Sequence, residues 1–518
     1  MFTTRPELVG TFGMVSSTHW LASSAGMAML EKGGNAFDAA VAAGMVLQVA
    51  EPHLNGPGGD LPLILHRTGS EKMEVICGQG PAPAGATLKH YKNLGLDLVP
   101  GTGLLATVIP GAFDAWMLML RDHGTLSLAE VFEPALHYAN QGIPVLERIQ
   151  KTISYVQQLF REEWPSSAEV FLPGNEVPEV NQLLCNPALA KTWSRIIRES
   201  EAVSGSRENQ IDQARKTFYQ GFVAEAMERF CLNEEVLDNS GRKHKGVLNG
   251  QDLAGWEATY EAPLTYHYAG LEIGKCGPWS QGPVQLQTLA LLNEMGVADW
   301  NPVSTDFVHG VTEALKLAFA DREAYYGDPD FVKVPLKQLL SREYNRERSK
   351  EISERASLEL RPGKISGFEV RMPEFDSSGR GDERFSAMGI GEPTVSKKGE
   401  TRGDTCHVDV VDRWGNMVSA TPSGGWLQSS PVIPELGFCL NSRAQMFWLQ
   451  EELPATLAPG KRPRTTLTPS MALRDGKGYL AYGTPGGDQQ DQWQTTFLLR
   501  HLFGEMNLQE AIDAPSFH

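Results

Sequence analysis

A long polar segment interrupts this chain of 518 residues between positions 361 and 403. The segment is rich in Gly, Ser, Pro, Glu and Lys and holds few large apolar residues, so we expect it to be exposed and mobile. An alternating strand pattern at residues 405–411 follows it, and residues 412–416 are typical of a hairpin turn before a second strand. The chain is therefore expected to contain a linker that leads into a strand beginning with Thr405.

The residues alone leave two interpretations of this junction open. It is either a disordered loop between two domains or a site at which the chain is cut. A cut needs a flexible segment before the bond and exposes the next residue, here Thr405, as a new N-terminus. The sequence provides both parts and does not decide between the two interpretations.

The composition is that of an ordinary globular protein, with 41% hydrophobic and 21% charged residues. The length allows one large domain or roughly two to four smaller ones. A net charge of -17 argues against nucleic-acid binding, because phosphate contacts require clustered Lys and Arg. The first ten residues have no apolar signal-peptide core and no apolar run is long enough for a membrane span, so we expect a cytoplasmic protein.

The cysteines and histidines show no spacing typical of a metal or disulfide framework. Six cysteines are scattered without a C-x-x-C pair, which favours reduced thiols. The 12 histidines form no H-E-x-x-H motif. We therefore expect neither a metal nor another cofactor.

Local patterns predict several elements. Helices are expected at residues 19–32, 36–50 and 307–326, and a strand at residues 61–66. The glycine-rich loop at residues 55–59 either makes turns or brings backbone close to a ligand. Residues 201–248 are polar and are expected at the surface.

Ordered sequence blocks along the chain resemble the gamma-glutamyltranspeptidase family, from about residue 10 to residue 518. No single block is specific, but together and in this order they identify the chain as a member of that family. The blocks lie at residues 21–40, 51–59, 108–111, 134–135, 277–282, 313–322, 327–329, 404–405 and 483–487.

The resemblance implies a four-layered αββα sandwich of the N-terminal-nucleophile hydrolase type, in the α+β class. It also implies a precursor that cuts itself between Asp404 and Thr405. Residues 1–404, with a mobile linker at 361–404, would form the large subunit, and residues 405–518 the small subunit. The two would stay together as a heterodimer. Relatives continue past the position of His518, so the small subunit is expected to lack the family's C-terminal tail.

The resemblance makes Thr405 the nucleophile. A threonine hydroxyl attacks an amide only with a neighbouring base. A free α-amine, whose pKa is about 7.7–8, can act as that base once Thr405 is N-terminal. Self-cleavage would thus expose the nucleophile and create its base together.

Five further residues complete the implied catalytic site. The family's oxyanion hole is a glycine pair, here Gly486 and Gly487, whose backbone N–H groups no side chain shields. Ser423 corresponds to a hydroxyl residue that hydrogen-bonds the nucleophile. Thr465 and Thr466 correspond to paired serines that contact the acyl group.

The substrate contacts depart from the family pattern. Where relatives hold a glutamyl α-carboxylate with arginine, this chain has Gln79, which offers only neutral hydrogen bonds. The aspartate that holds the α-amino group is replaced by Met446, and a supporting asparagine by Gly425. Arg443 and Arg464 are either surface residues or partners of an acidic acyl group.

Three functions therefore remain open from the sequence. The first is hydrolysis or transfer of gamma-glutamyl compounds such as glutathione, through an acyl-enzyme on Thr405. The second is hydrolysis of other acidic acyl amides, such as glutaryl side chains of cephalosporins, or oxamate. The third is a non-catalytic, truncated homologue. The expected partners are a small-molecule amide and the second subunit of the same precursor, with no nucleic acid or membrane.

Overall fold

A computed structural model describes residues 2–373 and 405–518. Asp404 and the greater part of the expected linker, from residue 374 onward, lie outside the described residues. The mobility of that segment and the division into two subunits therefore stay predictions.

Helices and strands alternate along the described chain. The α-helices are α1 (Trp20–Glu31), α2 (Ala36–Ala50), α3 (Leu88–Asn93), α4 (Ala112–His123), α5 (Leu128–Gln141), α6 (Glu147–Glu162), α7 (Pro165–Phe171), α8 (Pro187–Glu201), α9 (Arg207–Tyr219), α10 (Phe222–Asn233), α11 (Gly250–Ala254), α12 (Gly282–Glu294), α13 (Thr305–Tyr325), α14 (Leu336–Leu339), α15 (Arg342–Ser349), α16 (Gln489–Phe503) and α17 (Leu508–Asp513). The strands are β1 (Gly13–Ser17), β2 (Leu61–His66), β3 (Met73–Gly78), β4 (Ile143–Pro144), β5 (Leu183–Leu184), β6 (Val236–Leu237), β7 (Lys243–His244), β8 (Thr259–Glu261), β9 (Leu264–Tyr268), β10 (Leu271–Lys275), β11 (Val408–Asp412), β12 (Met417–Ala420), β13 (Ser470–Arg474) and β14 (Lys477–Tyr482).

Two antiparallel sheets form the centre of the molecule. The first has the strand order β1-β11-β12-β2-β3-β8 and the second the order β14-β13-β10-β9. β11 and β12 form the hairpin predicted after Thr405, with Val410 opposite Val418. β1, near the N-terminus, pairs with β11 far along the chain.

The two sheets stack face to face, and helices cover their outer faces. β11 and β12 of the first sheet contact β14 of the second. The apolar layer between the sheets includes Ile64, Met73, Met417 and Met471. α2 and α4 lie on the first sheet, and α12 lies on the second. This arrangement is the expected αββα sandwich.

Helix α2 follows from its local sequence. The Asn35 side chain accepts hydrogen bonds from the backbone N–H groups of Phe37 and Asp38, and the Asp38 side chain accepts one from the Asn35 N–H, so a capping box starts the helix. Every residue of α2 is buried, as expected for a helix that is apolar on all sides. The prediction of a helix at residues 36–50 is confirmed.

The expectation that residues 201–248 lie at the surface is wrong for one face of each helix in this stretch. Phe218 of α9 and Met227 and Cys231 of α10 are buried. α9 packs against both α4 and α8. The polar residues occupy the outer faces of amphipathic helices and outnumber the buried apolar stripe, which is why composition alone was misleading.

The start of the expected linker is attached to helix α13. The Gly363 N–H donates to the Asp321 carboxylate at 2.6 Å, and the Tyr325 hydroxyl donates to the Gly363 carbonyl at 2.6 Å. Residues 361–373 therefore belong in part to the packed structure. No helix in the described ranges combines the length and apolarity needed to cross a bilayer.

Candidate active site

Thr405 lies at the entry to β11, fully buried. It forms an antiparallel bridge with Ser423, and the two side-chain oxygens are 3.3 Å apart. Ser423 is itself fixed to Asp60, because each backbone N–H donates to the other residue's carbonyl, at 3.1 and 2.8 Å. The structure thus brings together the predicted nucleophile and the hydroxyl residue predicted to hydrogen-bond it.

The glycine-rich loop at residues 55–59 packs against the segment after Ser423. A Cβ placed on Gly59 would lie 2.1 Å from the Ser423 carbonyl oxygen, and one on Gly58 would lie 2.2 Å from that of Cys439. These glycines therefore allow close approach, but to backbone of the same protein. This close packing of backbone on backbone is sufficient reason for glycine at positions 58 and 59.

Cys406, next to Thr405, points into a different environment. Its thiol donates to the buried Glu51 carboxylate at 3.2 Å and accepts from the Asn55 amide at 3.2 Å. Burial, followed by the nearby Glu51 charge, raises the pKa of the Cys406 thiol well above its ordinary value. A thiolate is therefore disfavoured, and the hydroxyl of Thr405 remains the candidate nucleophile at this junction.

The glycine pair Gly486–Gly487 lies in a buried loop between β14 and α16. Gly486 has φ +110°, a conformation that residues with a side chain rarely adopt. Within the described ranges no hydrogen bond uses the backbone N–H of either glycine. Buried N–H groups normally have a partner, so this pair is suited to receive an oxygen from a bound molecule.

Two contacts place the glycine-pair loop at the same end of the sandwich as Thr405. A Cβ on Gly483, the first residue of the G-T-P-G-G block, would lie 2.1 Å from the ring of His407, two residues after Thr405. The Ser419 hydroxyl of β12 donates to the Tyr482 carbonyl of β14 at 3.3 Å. The stacking of the two sheets therefore brings the glycine-pair loop near the segment that begins with Thr405.

The predicted acyl-contact residues are buried on the segment that precedes β13. The Thr465 N–H donates to the Trp279 carbonyl at 3.0 Å, and its hydroxyl accepts from the Leu467 N–H at 3.3 Å. Thr466 is buried beside it. These bonds hold the segment in place next to residue Ser280, to which Thr465 is bridged.

The residues at the altered family positions supply no charge. Gln79 is buried, its Nε2 donates only a long bond to the Gly80 carbonyl at 3.4 Å, and its Oε1 accepts none from the described chain. Met446 ends a short 3-10 helix, Arg443–Met446, and is half-buried. Gly425 adopts φ +66° in the loop packed on Gly58 and Gly59.

Both candidate arginines already face a carboxylate. Arg443 is buried and pairs with Asp60 through Nε at 3.0 Å and Nη2 at 3.1 Å. Burial raises the pKa of Asp60, and Arg443 opposes that rise. Arg464 pairs with Glu323 at 2.5 Å. A substrate carboxylate at either arginine would have to share it, so their role as clamps stays a prediction.

Several residues around the glycine pair were not assigned a role from the sequence. Arg322 donates to both carboxylate oxygens of Asp488, at 2.6 and 3.2 Å, and to the side-chain Oε1 of Gln281 at 2.6 Å. Gln281 in turn donates to the Gly487 carbonyl at 3.5 Å. Asp488 is the first residue after the glycine pair and Gln490 the third, and this closeness in sequence was the signal that could have identified them. His, Cys, Asp and Glu side chains of the described chain form no group of three or more able to hold a metal.

Comparison with known proteins agrees with this geometry. Residues 22–518 match the family model described as Gamma-glutamyltranspeptidase. The chain belongs to the gamma-glutamyltranspeptidase family. It is therefore an enzyme of the hydrolase and transferase class. The family resemblance, the fold class and the enzyme class expected from the sequence are all confirmed.

The family contains relatives of differing activity. The chain is 31% identical to the glutathione hydrolase-like YwrD proenzyme of Bacillus subtilis (strain 168), over 98% of this chain and 85% of that protein. It is also 31% identical to the acylase ACY 1 proenzyme of Pseudomonas sp. (strain SE83), over 98% of this chain and 82% of that protein. The solved structure "Structure of LmbA2991T421A" is 55% identical, with a TM-score of 0.91 over 99% of this chain and 86% of that one.

Proposed function

We propose that this chain is a self-cleaving threonine amidohydrolase or acyltransferase that forms an acyl-enzyme on Thr405. The observation that carries the proposal is the Thr405–Ser423 pair, with 3.3 Å between the hydroxyl oxygens, at the entry to β11. Two buried glycine N–H groups at the same end of the sandwich support it. So do the two curated relatives, both of which are proenzymes.

The proposed chemistry uses groups of this chain only. In the precursor, the Thr405 Oγ attacks the Asp404 carbonyl and displaces the Thr405 nitrogen, which leaves as the free α-amine while an ester forms. Water then hydrolyses that ester, so that the Thr405 hydroxyl is restored and Asp404 ends in a carboxylate. In turnover, that amine takes the hydroxyl proton as Oγ attacks the substrate carbonyl, and the leaving amine then receives the proton. The N–H groups of Gly486 and Gly487 stabilise the oxyanion. Water releases the acyl group, or an acceptor amine takes it.

For the substrate we propose an acyl amide that lacks an α-amino group, such as a glutaryl or other short dicarboxylic monoamide. Burying an ammonium or carboxylate without a partner is costly. The positions that hold these groups in relatives are Gln79 and Met446 here, and neither carries a charge. The relative whose name calls it an acylase supports an acyl substrate in general.

The second candidate is a gamma-glutamyl compound such as glutathione. It is favoured by the family and by the glutathione hydrolase-like relative. The comparison that separates the two is kcat/KM of the matured protein for gamma-glutamyl and glutaryl p-nitroanilides. We expect the higher kcat/KM for the glutaryl compound. A clear preference for the gamma-glutamyl compound would show that another residue supplies the clamp.

The cut itself is tested by denaturing electrophoresis and N-terminal sequencing. We expect two fragments, the smaller beginning Thr-Cys-His-Val. Thr405→Ala should stay a single chain without turnover, and Thr405→Ser should still cut, because it keeps a hydroxyl. A wild-type chain that is never cut would favour the interpretation as a non-catalytic homologue. A small fragment that begins with a different residue would show that Thr405 is not the nucleophile.

We also propose that the two fragments remain a heterodimer and act in the cytoplasm. Six described cysteines are free, which is common among proteins of reducing compartments. Cell fractionation with an antibody to the small fragment tests the location.

A further inference from the structure

Gln490 is bonded to both carbonyl groups of the glycine pair. Its side-chain Nε2 donates to the Gly486 carbonyl, and its backbone N–H donates to the Gly487 carbonyl at 3.1 Å. Its Oε1 accepts from the Thr468 N–H at 3.2 Å. Gln490 is buried, so water does not compete for these bonds and its amide is fixed at both ends.

The bond to Gly486 determines where the Gly487 N–H points. The described chain has no cis peptide bond. In a trans peptide the C=O and the N–H of the same planar unit point in opposite directions. A donor that holds the Gly486 carbonyl on one side therefore directs the Gly487 N–H to the other side.

The glycine pair needs such a restraint because glycine itself supplies none. Gly486 has φ +110° and no Cβ to limit rotation of its peptide units. An oxyanion hole works only when its donors are held in place before the reaction. Gln281 adds a bond to the Gly487 carbonyl at 3.5 Å, so the second carbonyl is also held by a side chain.

We propose that Gln490 is a positioning residue, which aims the Gly487 N–H at the reacting oxygen by holding the Gly486 carbonyl. The inference rests on the proposed function, since it presumes that the glycine pair is the oxyanion hole. Gln490 does not touch the substrate. Its loss should therefore lower kcat and leave KM nearly unchanged.

The first variant is Gln490→Met, with Gln492→Met as the matched control. Gln492 lies on the same helix, α16, and its Nε2 also donates to a backbone carbonyl, that of Asp488, at 3.0 Å. Both substitutions remove one such bond, but only the first releases the glycine pair. With the preferred p-nitroanilide we expect kcat to fall by about 10²-fold for Gln490→Met, as for a small misplacement of catalytic groups. Gln492→Met should stay near wild type.

A second variant, Gln490→Glu, distinguishes loss of the hydrogen bond to Gly486 from a folding defect. It keeps the shape and the acceptor for the Thr468 N–H. When ionised it has no donor for the Gly486 carbonyl, but when protonated its O–H can donate there. The activity of Gln490→Glu relative to wild type should therefore rise as the pH falls through the carboxyl pKa. A residue that only supports the fold would show no such recovery.

Hydrogen exchange gives a readout that needs no substrate. A peptide covering residues 484–490 should exchange faster in Gln490→Met than in wild type or Gln492→Met. Equal exchange in all three proteins, equal kcat losses at positions 490 and 492, or a pH-independent ratio for Gln490→Glu would each overturn the inference. Thr405→Ala serves as the separate control, because turnover by that variant would refute the proposed function whatever Gln490 does.

Discussion

Thr405 and Cys406 are adjacent potential nucleophiles whose surroundings differ. Cys406 faces the Glu51 carboxylate in a buried pocket of polar groups, and its pKa is raised. Thr405 faces the hydroxyl of Ser423. A negative charge on Cys406 would be repelled by Glu51, whereas an alkoxide forming at Thr405 has a hydrogen-bond partner. These surroundings favour Thr405, the intrinsically weaker nucleophile, as the proposed nucleophile.

Gly486, the first residue of the glycine pair, adopts a backbone conformation that a residue with a side chain rarely adopts. At φ +110° an added Cβ is strained, and it would lie 3.0 Å from the Trp493 ring. We expect Gly486→Ala to lower kcat by roughly 10²–10³-fold through displacement of a donor. Gly476→Ala is the control, because Gly476 has φ +72° but lies in the β13–β14 turn. If both variants keep wild-type turnover, the glycine pair has only a structural role.

The Asp60–Arg443 pair has a stability consequence that can be measured. Both side chains are buried, and breaking a buried ion pair by removing one member strongly destabilises a fold. Asp60→Asn should lower the free energy of unfolding by about 3–5 kcal/mol. The double variant Asp60→Asn with Arg443→Met should recover much of that loss, because neither charge remains. Urea denaturation of the Thr405→Ala background gives the comparison, and an additive double variant would argue that the pair is not coupled.

At the level of elements, local signals were sufficient where capping and burial act within a few residues. The Asn35 cap and the largely apolar run that follows it gave α2 its bounds, and β2 at Leu61–His66 was also predicted correctly. The surface assignment of residues 201–248 was wrong, because the buried stripe of α9 depends on α4 and α8, which lie elsewhere in the sequence. The buried face of an amphipathic helix in a polar stretch can be predicted only when the helices that pack against it are known.

The ion pairs around the candidate site also could not be predicted from local sequence. Thr405 and the glycine pair were proposed from the sequence because each lies in a block that resembles the family, and Ser423 because it corresponds to a family hydroxyl residue. The bond between Arg322 and Asp488 joins positions 166 residues apart, and nothing in either local sequence indicates the partner. The same holds for Asp60 and Arg443, which are 383 residues apart. The sequence left Arg443 as either a surface residue or a partner of an acidic acyl group, because its carboxylate partner could not be read from the sequence.

At the scale of the whole molecule, the predicted cut would place hydrogen-bonded neighbouring strands of each sheet in different subunits. β11 and β12 lie between β1 and β2, and β13 lies between β14 and β10. Cleavage before Thr405 would therefore leave three ladders crossing the subunit boundary, namely β1–β11, β12–β2 and β13–β10. Buried ion pairs cross it too, including Asp60–Arg443.

We therefore expect the matured subunits to separate only when the fold is lost. In urea, co-elution of the two fragments in gel filtration should disappear over the same range as the circular dichroism of the folded state. The midpoint for the cut protein should rise with protein concentration, because unfolding releases two chains, whereas that of uncut Thr405→Ala should not. Fragments that separate while the circular dichroism is unchanged would mean that each subunit holds its own core, in conflict with the presence of hydrogen-bonded strands from both parts in each of the two sheets.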